Sequence, residues 1–304
     1  MHLLITAAKD VTSDLICERI TSSVLRVNLE LWKDYFIEID GNEFIVADNF
    51  GRKVTANTLG NIIWRKPVSN ISTEDGEYWY GFQEFKYSIF SIMDEVRRNT
   101  PFKIPIDPHI NKTIDKFFQL RVASKYLNVP IWHYTSKPSK KNWGEGQWIT
   151  KSVTGNPIAG TGTPAHVIFT AKVDPYLLDD NWTWFVQEQV DFEYDLTILY
   201  VNGNQFGYVL NRSSFQGLDW RKSIGSPEIN EGWESVKIPA QLSKSISLFM
   251  NELGLKFGRL DLLAKDKSLQ ETKFLEVNPN GQWAWLDKSN TDGLFDSVIN
   301  FITS

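Results

Sequence analysis

Two carboxylates and one amide near the C-terminus have the types and spacing of a site for a hard divalent cation. Arg259-Leu260-Asp261 is followed by Glu276-Val277-Asn278, and each run lies in a predicted strand. Side chains two residues apart on a strand share a face, so Glu276 and Asn278 can project together and Asp261 can join them across a hairpin. Such oxygen ligands suit Mg²⁺, which proteins usually share with nucleotide phosphates. A solvated hairpin turning at Pro279-Asn280-Gly281 would explain the same residues.

Lysines on an earlier helix and strand could neutralise phosphates. Lys151 ends an apolar strand just before a loop of small residues, 154–163, which includes Gly160 and Gly162. A strand-end ammonium and flexible backbone N–H groups could hold a triphosphate, and Lys116 lies on the preceding predicted helix. A solvated lysine is the alternative for both. The loop is neither a Walker motif nor a dinucleotide fingerprint.

A third segment, residues 184–196, has the character of a nucleotide-binding hinge. It is apolar up to an acidic stretch that also carries amides. Backbone groups in such a stretch could read the edge of a base, and a carboxylate could accept hydrogen bonds from ribose hydroxyls. An edge strand with charged ends is the structural alternative.

The hydrophobic pattern predicts the strands and helices that must position these residues. Strands are predicted at 3–7, 35–39, 43–47, 61–64, 131–134, 147–151, 166–171, 184–190, 195–201, 205–210, 256–264 and 273–277. Helices are predicted at 13–23, 78–98, 113–126 and 240–253. Pro101, Pro105 and Pro108 interrupt the chain after the second helix, and a domain boundary is expected there.

Composition limits the class of protein. The chain has 304 residues, 32 basic and 37 acidic side chains and a net charge of -5, so it has no general attraction for nucleic acid or anionic membranes. One cysteine excludes a disulfide framework. No apolar run approaches the roughly 18 residues of a membrane span, and the first residues are too short for a signal peptide, so a cytoplasmic protein is expected.

The order of these features resembles the ATP-grasp superfamily and, more narrowly, the graspetide (microviridin-type) ligases of RiPP biosynthesis. The narrower resemblance is carried by Ile63-Trp64-Arg65-Lys66-Pro67, Val167-Ile168-Phe169-Thr170, Leu218-Asp219-Trp220-Arg221 and Phe274-Leu275-Glu276-Val277-Asn278-Pro279-Asn280-Gly281-Gln282-Trp283. It implies an α/β (α+β) fold, with a pre-ATP-grasp domain over 1–105 and an ATP-grasp domain over 106–304. The latter would divide into a central subdomain of about 106–185 and a C-terminal subdomain of about 186–304.

The resemblance also implies how a nucleotide would bind. Lys116 and Lys151 would contact the phosphates of ATP, together with the loop that contains Gly160 and Gly162. The adenine would be framed by Gln187, Glu188 and Val190, and the ribose would meet Glu193. The Mg²⁺ ligands would be Asp261, Glu276 and Asn278.

A substrate subsite follows from the same resemblance. Arg221 would lie near the γ-phosphate and the substrate carboxylate, with Lys151 and Arg259 as further catalytic candidates. Further substrate candidates are Asp195, Arg212 and Asp219. One position departs from the family pattern, which commonly has an arginine where this chain has Thr197. The missing cation would come from Arg259 or Arg212.

The implied activity is the ATP-dependent activation of Asp or Glu side chains in a ribosomally made precursor peptide. Ser or Thr hydroxyls or Lys amines of the same peptide would then form ester or amide crosslinks and close a macrocycle. The family binds a leader segment of its precursor, typically as a helix, and residues 206–220 offer aromatic side chains for such a contact. A homodimer is also implied.

Two other functions use the same nucleotide residues. A RimK-like ligase would add a free amino acid to a peptide or protein, and would need a pocket for the α-carboxylate of that amino acid. A nucleotide-gated, non-catalytic peptide binder would retain the fold without turnover, as the Thr197 departure would suggest. Mass spectrometry of a peptide product distinguishes the three.

Overall fold

A computed structural model of the chain describes residues 1–41, 43–67, 75–154, 170–223, 225–287, 289 and 291–304. The strands are β1 (His2–Thr6), β2 (Val24–Asn28), β3 (Tyr35–Asp40), β4 (Glu43–Asp48), β5 (Lys53–Thr55), β6 (Ile62–Trp64), β7 (Trp132–Thr135), β8 (Trp148–Thr150), β9 (Ala171–Val173), β10 (Trp184–Glu188), β11 (Tyr194–Val201), β12 (Asn204–Asn211), β13 (Glu234–Val236), β14 (Phe257–Ala264) and β15 (Thr272–Asn278). The α-helices are α1 (Val11–Arg19), α2 (Gly76–Asn99), α3 (Pro108–Thr113), α4 (Lys116–Ala123), α5 (Pro227–Glu231), α6 (Ala240–Glu252) and α7 (Leu294–Thr303).

The N-terminal sheet is parallel and has the strand order β2-β1-β6. Every residue of β1 is buried, as expected of a parallel strand covered on both faces. Because β1 lies between its two partners, the chain passes from one side of β1 to the other, and the carboxyl end of β1 is a topological switch point. Helix α2 packs its predicted apolar face, including Phe82 and Ile89, against this sheet. Strands β3, β4 and β5 form a separate antiparallel sheet.

Two antiparallel sheets form the rest of the molecule. The central sheet has the order β7-β10-β8-β9, and the C-terminal sheet has the order β13-β12-β11-β14-β15. Phe185 of β10 shares one apolar core with Leu260 of β14, Phe274 of β15 and Phe249 of α6. This shared core holds the two sheets together, so side chains on their facing surfaces can form one site.

A second core joins the N-terminal sheet to the C-terminal sheet. Leu4 of β1 and Ile63 of β6 pack in the same cluster as Leu199 of β11, Trp283 and Phe295. Helix α7 closes this contact, since Asn61 donates from Nδ2 to the carbonyl oxygens of Ile302 and Ser304 at 3.0 and 2.9 Å. The end of the N-terminal sheet is thereby held against the loop that follows β15.

Several predicted elements differ from the structure. The helix predicted at 113–126 is α4, which begins later because the Asp115 side chain accepts hydrogen bonds from the N–H groups of Phe117 and Phe118 and caps it; the short helix α3 before it was not predicted. The helix predicted at 13–23 is α1, which ends at Arg19. Strands β2, β5, β9 and β13 and helices α5 and α7 were not predicted, and most of the strand predicted at 166–171 lies outside the described residues.

Two further points concern the expected organisation. The division expected near residue 185 falls inside β10, which pairs with β7 and β8 through Glu188, so the central sheet extends past that point. Among the described helices, none is long and apolar enough to cross a membrane.

Candidate active site

A cavity of about 430 Å³ lies between the central and C-terminal sheets and is called the main cavity below. It brings together most of the charged side chains singled out in the sequence. The candidates that line it are Lys116, Lys151, Asp195, Asp219, Arg221, Arg259, Asp261, Glu276 and Asn278. These residues come from α4, the end of β8, β11, β14, β15 and the segment after β12, so the site exists only in the folded chain.

The proposed metal ligands converge as strand geometry predicts. Asp261 of β14 lies directly opposite Glu276 of β15, and the register shifts immediately after Asp261. Asn278 Nδ2 lies 3.1 Å from Asp261 Oδ2 and 3.4 Å from Glu276 Oε1. Because an amide carries an acceptor beside its donor, rotation of the Asn278 amide would turn its oxygen toward the carboxylates.

The donor set determines how a metal could be held. Within the described part of the chain, no three His, Cys, Asp or Glu side chains group to form a metal site. Two carboxylates and one amide leave most positions of an octahedral ion open, which suits Mg²⁺ shared with phosphate oxygens better than a fully protein-bound ion.

Three cations of the main cavity are paired with its carboxylates. Lys116 donates to Glu276 Oε2, and Arg259 donates to both oxygens of Asp261, from Nε at 3.1 Å and from Nη2 at 2.9 Å. Arg221 likewise donates to both oxygens of Asp219, at 2.7 and 2.6 Å.

These contacts shift the pKa of the central carboxylate. Burial alone would raise the pKa of Glu276, but Lys116 and Lys151 outweigh it and lower that pKa to about 2. Glu276 is therefore ionised throughout the physiological range and can serve as a metal ligand without first losing a proton.

Lys151 has no such carboxylate partner. No described acidic side chain lies within ion-pair distance of it, and its Nζ lies 5.7 Å from the centre of the Phe185 ring. Burial and the nearby Lys116 lower the pKa of Lys151 to about 7. A partly desolvated ammonium without a counterion is suited to an anionic ligand that arrives from solution.

The Thr197 departure has a structural counterpart. Thr197 lies opposite Asp261, and its Oγ1 donates to Asp261 Oδ1 at 3.2 Å. Arg259 on the same strand as Asp261 contacts the same carboxylate. Arg212 instead lies 3.4 Å from Asp195. The positive charge of the Arg259 guanidinium therefore lies where a longer side chain at position 197 would reach.

Asp195 lies mostly buried beside the candidate metal ligands. Burial raises its pKa to about 7 despite the neighbouring Arg212, and the negative charges of Asp261 and Asp219 act in the same direction. The Asp219 carboxyl differs, since Arg221 outweighs the effect of burial and lowers its pKa. The two carboxylates are thus distinct at neutral pH, and Asp219 remains ionised to orient Arg221.

The hinge residues lie on β10 and just after it. Gln187 is fully buried, and neither its amide oxygen nor its amide nitrogen has a hydrogen-bond partner among the described residues. Glu188 accepts a hydrogen bond from the Ile131 N–H at 3.1 Å. Val190 and Glu193 follow β10, and none of these four residues lines the main cavity. Gly160 and Gly162 lie outside the described residues.

Sequence analysis assigned no role to Arg65, which is 1% exposed and bonded to the loop after β15. Its Nη1 donates to Asn280 Oδ1 at 2.8 Å and to the Gly281 carbonyl at 3.0 Å. The sequence did contain a signal for this role, because an arginine that directly follows an apolar strand such as β6 is expected to be buried. A charged side chain is almost never fully buried without partners.

Comparison with known proteins gives no match by sequence. No protein-family profile matches the chain, and no curated protein matches it significantly. Solved structures match over nearly its whole length. The RiPP-associated ATP-grasp ligase of Chryseobacterium gregarium, in complex with ADP and a leader and core peptide, has a TM-score of 0.79 and 19% identity, covering 99% of this chain and 96% of that one.

Two further structures match closely in shape. The macrocyclase MdnC of Microcystis aeruginosa MRC, bound with the precursor peptide MdnA, has a TM-score of 0.76 and 18% identity, covering 99% of this chain and 98% of that one. The ATP-grasp ligase PsnB, complexed with minimal precursor, Mg and ADP, has a TM-score of 0.70 and 14% identity, covering 99% and 97%. At these identities the likeness establishes architecture, and this chain has the ATP-grasp fold.

Proposed function

We propose that this chain is an ATP-dependent, Mg²⁺-dependent ligase that crosslinks Asp or Glu side chains of a precursor peptide to hydroxyls or amines of the same peptide. The observation that carries the proposal is the convergence of Asp261, Glu276 and Asn278 in a cavity that also presents Lys116 and Lys151. It is supported by the fold likeness to ligases solved with ADP, Mg and precursor peptides.

The described residues fit ATP at both ends. Gln187 has a buried amide without partners, and such an amide offers one donor and one acceptor, which match N7 and the amino group of adenine. Lys116 and Lys151 supply positive charge at the phosphate end. Asp261, Glu276 and Asn278 would hold Mg²⁺, which would neutralise the phosphates and orient them.

The reaction requires two anions, the donor carboxylate and the triphosphate of ATP, to come together. A donor carboxylate oxygen attacks the γ-phosphorus, the bond to the β,γ-bridging oxygen breaks, and ADP leaves. The acceptor oxygen or nitrogen then attacks the carbonyl carbon of the acylphosphate, its C–O bond to phosphate breaks, and the acceptor proton leaves with inorganic phosphate. Each crosslink removes one water from the peptide. The chain contributes mainly charge stabilisation and positioning.

A peptide partner is part of this proposal, since all three similar structures described above contain a precursor or a leader and core peptide. The segment expected to contact it, 206–220, is partly unavailable, because Tyr208 is only 1% exposed within β12. Its end remains accessible from the main cavity, where Trp220 packs with Trp233 and Trp285 at ring separations of 5.5 Å. Trp220 is therefore the part of this segment that we propose meets the peptide.

Mass spectrometry tests the proposed function. The enzyme is incubated with ATP, Mg²⁺ and a short peptide that is encoded beside its gene and is rich in Ser, Thr, Asp and Glu. We expect the peptide to lose one water per ring, with one ADP released for each. A mass gain would identify a ligase that adds free amino acids. Tight peptide binding without a mass change would identify a non-catalytic binder.

The orphaned amide of Gln187 leads to a prediction with opposite effects on stability and binding. Replacing Gln187 with leucine removes two buried polar atoms without partners, so we expect the free energy of unfolding to rise by about 1 kcal/mol. The same change removes the adenine contact and should weaken ADP binding about tenfold. Thermal denaturation and calorimetric titration with Mg²⁺ and ADP measure the two effects. Unchanged ADP affinity would show that Gln187 does not contact the base.

A further inference from the structure

A second cavity, of about 450 Å³, lies at the carboxyl end of β1, at the switch point of the N-terminal sheet. Its charged and amide lining residues are Lys9, Asp10, Glu30, Lys66 and Gln282, so two lysines and two carboxylates share the cavity. The carboxyl ends of parallel strands at such a point are the usual ligand position in open α/β sheets. The function of this cavity does not follow from the nucleotide site.

Arg65 fixes one side of the second cavity to the metal-binding strand. Besides its bonds to Asn280 and Gly281, it donates from Nη2 to Gln282 Oε1, and its Nε lies 3.5 Å from Asp10 Oδ2. Gly281 permits this loop to pack closely, since a Cβ there would lie 2.7 Å from the Cβ of Arg259. The backbone just before Lys66 is therefore rigidly joined to the loop after Asn278.

Lys66 itself has an unusual backbone. Its φ is +33°, a value rare for residues with a Cβ, and Pro67 follows it, which further restricts its conformation. Such a conformation costs about 1–3 kcal/mol, persists only where neighbouring contacts enforce it, and is found mainly at functional sites. Arg65, held by four other residues, supplies that enforcement.

The Lys66 ammonium is also without a counterion. No described carboxylate lies within ion-pair distance of it. The Lys66 side chain is exposed overall, but local desolvation together with the charges of Arg65 and Arg259 lowers its pKa to about 8. By contrast, Lys116, Arg221 and Arg259 each pair with a carboxylate of the main cavity. Lys66 could therefore bind an anionic ligand, because no described carboxylate of the chain pairs with it.

The second cavity lies next to the phosphate end of the main cavity. Gln282 separates them: its side chain lines the second cavity, and its carbonyl oxygen accepts a hydrogen bond from Arg259 Nη1 at 3.0 Å. Arg259 in turn contacts Asp261. Gln282 would thus separate an anion held by Lys66 from Arg259, which contacts the candidate metal ligand Asp261.

Building on the proposed function, we infer that Lys66 binds the acyl-donor carboxylate of the peptide and that Arg65 is the residue that positions Lys66. Lys116 and Lys151 would neutralise the triphosphate, while Arg221 and Arg259 already pair with Asp219 and Asp261. The attacking carboxylate would therefore take its cation from outside the main cavity. Lys66 follows β6 of the N-terminal sheet, so this role would give that sheet a part in the first chemical step.

The test compares Lys66→Met with Lys9→Met, which removes the same charge from a residue lining the same cavity without the strained backbone. Both variants are assayed with the adjacent-gene peptide, and acylphosphate formation is followed separately by adding hydroxylamine, which converts it to a hydroxamate and phosphate. Binding of Mg²⁺ and ADP is measured by calorimetry, and folding by thermal denaturation.

We expect Lys66→Met to lower kcat/KM for crosslinking and the rate of hydroxamate formation equally, by about ten- to hundredfold, with unchanged ADP affinity. Lys9→Met should stay within about twofold of wild type, and Lys66→Arg should recover part of the loss. Equal activity of Lys66→Met and wild type, equal losses in both methionine variants, or loss of crosslinking with normal hydroxamate would overturn the inference. No product from the wild-type enzyme would instead refute the proposed function.

Discussion

Replacing Glu276 with glutamine should reduce crosslinking by about 1000-fold while the fold is retained. The amide has the shape of the carboxylate but lacks its charge, and Glu276 is the carboxylate on which Lys116 and the proposed metal both depend. Without it, Lys116 and Lys151 would face each other uncompensated, and the metal would keep only Asp261 and Asn278. The rate of ADP release with the peptide, measured across a Mg²⁺ titration, is the direct assay.

Glu271→Gln is the matched control for this change. Glu271 lies beside the same hairpin, is exposed and pairs with Lys265 at the surface, so its replacement should leave activity unchanged and alter stability little. Thermal denaturation of both variants checks folding. If Glu276→Gln crosslinks the peptide at the rate of Glu271→Gln, Glu276 is not a metal ligand.

The sequence predicted the hairpin that carries the candidate metal ligands because two simple periodicities agree there. The alternation of apolar and polar residues over 256–264 and 273–277 indicates two strands, and their spacing requires a short connection. The structure confirms the outcome, since β14 and β15 pair with Asp261 opposite Glu276. The long helix α2 was predictable for the same reason, because its six buried residues repeat at helical spacing.

Elements whose stability depends on distant packing were missed. Helix α7 contains β-branched residues such as Val298 and Ile302, which lower its helix propensity although its five buried residues repeat at helical spacing, and it is stabilised by burial against the N-terminal sheet and β14. The edge strand β13 has only three residues and two of them are exposed, so no alternation marks it. In these cases tertiary contacts outweigh local propensity.

Ion pairing in the site was equally invisible in the sequence. Which carboxylate each cation would meet depends on side chains that lie far apart along the chain, as with Lys116 and Glu276, 160 residues apart, or Arg65 and Asn280, 215 residues apart. Residue types and motif order therefore predicted most of the charged residues that the structure brings together in the main cavity. They did not show that Lys66 and Lys151 would be the cations left without carboxylate partners.

Replacing Lys151 with methionine should make the protein more stable and less active. Burial lowers the pKa of Lys151 to about 7, so the folded protein disfavours the charged form that the unfolded chain adopts below a pH of about 10.4. This cost is absent above that pH and is fully present below pH 7. Wild-type stability should therefore rise with pH between about 7 and 10.4 relative to the Lys151→Met variant.

Activity should change in the opposite direction. The Lys151→Met variant lacks the ammonium proposed to contact the phosphates, so we expect its kcat/KM for ADP release to fall by about 100-fold or more. An unpaired charge in a partly desolvated site interacts strongly with a bound anion. Lys172→Met, at an exposed position on β9, is the control. Thermal denaturation at pH 6.5 and pH 9 and the ADP-release assay measure the two effects. A variant that melts below wild type at pH 6.5, or that retains full activity, would show that Lys151 is stabilised by contacts within the chain and does not await a phosphate.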